Sequence, residues 1–229
     1  VEPQMMPAST SNLPVSTPVD VPAPSRRVND AASRLFHALF ALCFALAYIT
    51  GDSDRWQQVH VTLGYTLAGL LTWRVAWGLW GPRHARWGLL MRRLRALGPL
   101  ASGLLKARAP QWSALPAQLL GGTVALLLLL IAPVLLSGYA GFAEWGGERI
   151  ADALGELHEA LASGMLGLVF AHVALVVVGL LRRGRVALAP VLGGRVPGRG
   201  PDLAPSNHGV MAALMLMAVL GFWLWRALM

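Results

Sequence analysis

Residues 156–177 read ELHEALASGMLGLVFAHVALVV, an apolar run of helical length with a histidine toward each end. A charged or ionisable group inside a membrane span is costly and marks a functional site by default. His158 and His172 are fourteen residues apart, about 21 Å along a helix, and close to four whole turns, so they share one face. The question is what lies opposite each of them.

The rest of the chain has the same character. It has 229 residues, of which 55% are apolar and 13% charged. Soluble domains carry about 25% charged residues, so composition indicates an all-α integral membrane protein. Four further segments are apolar and near the roughly 20 residues that a span requires. They are 32–49, ending at TGDSD; 59–80, stopping at GPR; 119–136, ending near SGYAG; and 209–228. The histidine-bearing segment extends over 150–181. Residues 1–30 are rich in Pro, Ser, Ala and Val without apolar periodicity and read as a disordered tail. They lack the charged and apolar regions of a signal peptide. The organisation expected is therefore a tail (1–30), a four-helix unit (31–185), a basic linker (186–208) and a fifth span (209–229).

The formal charge is +8, and its distribution points to topology rather than to nucleic acid. Residues 81–118 hold Arg83, Arg86, Arg92, Arg93, Arg95, Lys106 and Arg108 with no acidic residue. Residues 182–208 hold Arg182, Arg183, Arg185, Arg195 and Arg199 against Asp202. The opposite loops hold Asp52, Asp54, Glu144, Glu148 and Asp152 against Arg55 and Arg149. The positive-inside rule then expects a cytoplasmic N-terminus and a periplasmic C-terminus in a bacterial inner membrane. Arg226, near the outer end, is read as snorkelling to the interface.

That topology assigns depths. His60 opens the second segment and His158 opens the fourth, both at the outer side. His37 lies near the start of the first segment and His172 deep in the fourth, both toward the cytoplasm. The pairs that match are His60 with His158 and His37 with His172. Two cross-helix pairs suit two haem irons, each taking two axial imidazoles, and bundles build cofactor sites from facing helices in this way. An imidazole whose other N–H is hydrogen-bonded loses its burial cost on coordination. Gly64, Gly164 and Gly167 leave room for a flat macrocycle or for close helix packing. Arg34, one turn before His37, is a candidate for a haem propionate or a flanking charge. Hydrogen-bonded packing histidines are the bland alternative. Zinc would want three or four ligands at one depth, and only Glu156 and Glu159 accompany His158. Cys43, the single cysteine, reads as a buried filler. It rules out a covalently attached haem, since no C-x-x-C-H occurs. His84 and His208 are read as cytoplasmic surface residues, with a quinone head group as a lesser possibility.

Three stretches, RLFHALFALCFALAYITG (34–51), HVTLGYTLAGLLTWRVAWGLWGPRHARW (60–87) and LGELHEALASGMLGLVFAHV (154–173), resemble the bacterial cytochrome b561 family. They also resemble the related b-type cytochrome subunit of nickel–iron hydrogenases, with GPRHARW similar to that branch. The resemblance covers 34 to about 185 and implies a four-helix bundle with two non-covalent b-type haems. It implies His37, His60, His158 and His172 as the axial ligands. The fifth segment and the tail fall outside it. Family branches exchange electrons with quinone, hydrogenase, periplasmic c-type cytochromes or superoxide. The expectation is therefore an electron-transfer cytochrome between a periplasmic c-type cytochrome, or a hydrogenase-like subunit, and the quinone pool. Alternatives are a self-contained superoxide:quinone oxidoreductase and, without redox chemistry, a small transporter.

Overall fold

The computed structural model describes residues 24–82, 85–105 and 115–229. The expectations for residues 1–23, Arg83, His84, Lys106 and Arg108 fall outside these. Among the described residues the long helices are α1 (Ala31–Thr50), α2 (Gln57–Trp80), α3 (Trp87–Leu105), α4 (Leu115–Phe142) and α5 (Glu148–Arg183). A short helix α6 (Ala189–Leu192) precedes α7 (Gly209–Leu228). Helices α1, α4, α5 and α7 are long and apolar enough to cross a bilayer. Large side chains face outward along them, with Phe170 65% and Met217 68% exposed, as lipid-facing positions require.

α2, also expected as a span, has the length at 24 residues but is diluted by Thr62, Thr66, Thr72 and Arg74. Its polar groups are used inside the protein. The Trp223 indole of α7 donates to the Thr66 hydroxyl at 2.9 Å, and the Arg226 guanidinium donates to Thr62 at 3.3 Å. Arg226 is thus held against α2. These bonds make the fifth helix part of the bundle. Trp223→Phe leaves buried Thr66 without its donor and is expected to cost about 1 kcal/mol, the scale of an interhelical hydrogen bond in a membrane. Reversible unfolding in mixed detergent would show this as a lower midpoint; an unchanged midpoint would mean the bond contributes nothing.

The core of the bundle is a packed layer of Cys43, Phe44, Leu63, Leu67, Ile131 and Met165, contributed by α1, α2, α4 and α5. Cys43 is fully buried and unpaired. Met165 is seven residues from both His158 and His172, so this apolar layer lies midway between them.

Three readings from sequence change. The end of the expected tail is structured: strand β1 (Ser25–Arg27) pairs antiparallel with β2 (Arg195–Pro197), with Arg26 opposite Val196. Asp30 then caps α1, its carboxylate accepting from the Ser33 amide at 2.7 Å. The expected linker is therefore half of a ribbon that ties the starts of α1 and α7 together. The basic 81–118 segment contains α3, whose Leu97 and Arg93 side chains pack on α4 at Gly122 and Gly121. Finally, α4 continues through SGYAG. Ser137 donates back to the Pro133 carbonyl at 2.8 Å, which satisfies polar groups that would otherwise favour a break.

Candidate haem sites

Both depth pairs come together. The His60 and His158 rings are 6.0 Å apart between centroids, and His37 and His172 are 6.4 Å apart. An imidazole nitrogen sits about 2 Å from a metal ion, so two axial imidazoles on one metal have ring centres roughly 6 Å apart. The residues therefore fit an iron held between each pair. Among the described residues no three His, Cys, Asp or Glu side chains gather as a metal cluster. Each pair thus offers two protein ligands, the number haem iron requires beyond its macrocycle.

The other ring nitrogen of His60 and of His158 is engaged. His60 Nδ1–H donates to the Ala47 carbonyl at 2.8 Å, and His158 Nδ1–H donates to the Val134 carbonyl at 2.8 Å. A carbonyl can only accept, so both bonds place the proton on Nδ1 and leave the Nε2 lone pair available for a metal. Each acceptor has a glycine four residues later, Gly51 and Gly138, on the neighbouring turn. At Gly138 an added Cβ would lie 2.7 Å from His158 Nδ1; at Gly51 it would lie 3.6 Å from His60 Cε1. Gly138 is therefore required for His158 to reach the carbonyl. In the inner pair, His172 Nδ1 lies 3.5 Å from the Thr123 hydroxyl, which itself donates to the Leu120 carbonyl at 3.0 Å. The Thr123 oxygen is thus left to accept, more weakly.

The glycines noted in the sequence divide by role. A Cβ at Gly64, Gly164 or Gly167 would meet no protein atom within 4 Å, so these do not serve close helix packing. Beside His158 a cavity of about 970 Å³ opens toward Gly138, Glu148, Asp152 and Glu156, giving the His60–His158 pair an acidic mouth.

Other polar side chains have partners of their own. Arg34, one turn before His37, has its guanidinium against Gly194 and lines a crevice shared with Leu192 and Ala213. Arg74 anchors the turn into α3, donating to the Ala85 carbonyl at 2.9 Å beneath the Trp87 ring. His208 is part-exposed and partnered: it faces the buried Asp30 carboxylate at 3.0 Å and meets Trp77 edge-on, fastening the start of α7 to α1 and α2. Sequence reasoning missed Gly138, Thr123 and the accepting carbonyls. Only the glycine four residues after Val134 hinted at them.

Searches among curated proteins and among solved structures found no match. Against family models, residues 28–194 match the family described as prokaryotic cytochrome b561. That range holds all four paired histidines and most of the 229 residues, and the chain belongs to the prokaryotic cytochrome b561 family.

Proposed function

We propose that this b-type membrane cytochrome carries two haems, one held by His60 and His158 and one by His37 and His172, and passes electrons across the membrane between them. The observation that carries this reading is the pair of ring separations, 6.0 and 6.4 Å, at two depths of one bundle. When bound, haem iron supplies one-electron ferrous–ferric chemistry. The chain's residues do the rest. The four imidazoles fix position and spin state, and the Ala47 and Val134 carbonyls raise the basicity of the outer ligands. The Cys43–Ile131–Met165 layer keeps water from the path between the two levels.

In this reading the acidic end faces the periplasm and the basic ribbon faces the cytoplasm, following the charge asymmetry. Glu148 and Asp152, at the mouth beside His158, suit a basic c-type cytochrome as the outer partner. The inner pair then exchanges electrons with quinone or a hydrogenase-like subunit. Oxidised protein should give low-spin ferric EPR signals; a stoichiometric high-spin signal would contradict bis-histidine ligation. The paired reversal Glu148→Lys with Asp152→Lys should slow electron exchange with a cationic cytochrome c about tenfold at low salt. The difference should vanish at high salt, since surface charge steers encounter and is screened. An equal rate at low salt would remove the docking role.

A further inference from the structure

We propose that the crevice between α1, α6 and α7 binds an anionic phospholipid, with Arg34 on the phosphate and an acyl chain along the alanine-lined floor. The crevice holds about 430 Å³ and is walled by Ala38, Leu192, Ala212, Ala213 and Leu216, with Arg34 its one charged residue. One cationic end and an otherwise apolar floor match the shape of an amphiphile. A small soluble anion would leave that floor unused.

Three observations favour a lipid. First, Arg34 stands in the first turn of α1, beside the start of α7, the depth at which headgroups meet hydrocarbon. Second, among the described residues its guanidinium has no carboxylate partner and no hydrogen bond, although it carries five donors suited to phosphate. Third, the adjoining ribbon adds Arg26, Arg27, Arg195 and Arg199. Asp202 takes the Arg27 amide, and Asp30 caps α1. A basic crevice between spanning helices at a membrane surface has the chemistry of a lipid-headgroup site. The outer wall is open to the bilayer, with Leu192 74% exposed. His37 is not among its lining residues, so this site is separate from the inner histidine pair and does not depend on the haem reading.

The test is native mass spectrometry of the delipidated full chain, titrated with phosphatidylglycerol or phosphatidylcholine of matched chains. Phosphatidylglycerol should bind more tightly. Arg34→Gln should remove that preference, weakening it roughly fivefold, the strength of one interfacial cation. Arg34→Lys should keep most of the preference, and Ala213→Trp should weaken both lipids by filling the floor. Equal binding of the two lipids by the parent would overturn the site, as would an undiminished preference in Arg34→Gln. Equal competition by soluble glycerol 3-phosphate would overturn the lipid as occupant. Loss of haem absorbance from Arg34→Gln with lipid preference intact would return Arg34 to a propionate.

Discussion

His158→Ala, purified in detergent, is expected to hold one haem per chain in place of two. The remaining haem should keep the absorbance of the inner site. The substitution removes one of two axial ligands while α5 keeps its helix, because alanine is the strongest helix former. The Val134 carbonyl loses only an added donor, since it lies inside α4 and belongs to that helix's own hydrogen-bond ladder. His172 lies about 21 Å away along the helix, beyond the Met165 layer, so its partnership with His37 should survive. His172→Ala should give the complementary loss. Pyridine haemochromogen assay with a reduced-minus-oxidised spectrum measures both. Loss of both haems from each folded variant would mean that the sites form as one unit. Retention of both would exclude these ligands.

The second large effect is expected from a residue that touches no iron. Gly138→Ala places a methyl 2.7 Å from His158 Nδ1. Either the imidazole or the α4–α5 spacing must shift, and overpacking of this kind costs about 1–3 kcal/mol. Roughly a 5- to 150-fold weaker outer haem should follow, with the inner haem unchanged. Gly51→Ala is the internal comparison, because its methyl would stand 3.6 Å from His60 Cε1, an ordinary contact. Gly51 also has φ −63°, which alanine adopts freely. Haem titration of the two apoproteins separates the cases. Equal affinity in both would show that the Val134 bond does not position His158.

What the sequence revealed and what it hid follow from the physics of straight helices. Depth along a span is a count of residues, so loop charges and histidine positions alone were enough to match His60 with His158 and His37 with His172. Rotation about the helix axis is not fixed by that count. The sequence places Arg34 one turn before His37, but it could not show that α6 and α7 would pack there to form a crevice around it. The same limit left Gly64, Gly164 and Gly167 open between packing and space. Long-range pairing was equally hidden: β1 and β2 are some 170 residues apart, and neither three-residue strand carries an apolar alternation. His208 looked solvated because its partner, Asp30, fell in a segment read as disordered. In α3, leucines interleaved with Arg92, Arg93 and Arg95 carried an amphipathic signal that the arginine excess masked.

The central claim is two haems on two histidine pairs, and counting haem per chain tests it most directly. Protein purified after expression with ample haem, and shown to be folded, should yield two b-type haems per chain by pyridine haemochromogen. One haem per chain in the fully loaded protein would contradict the account.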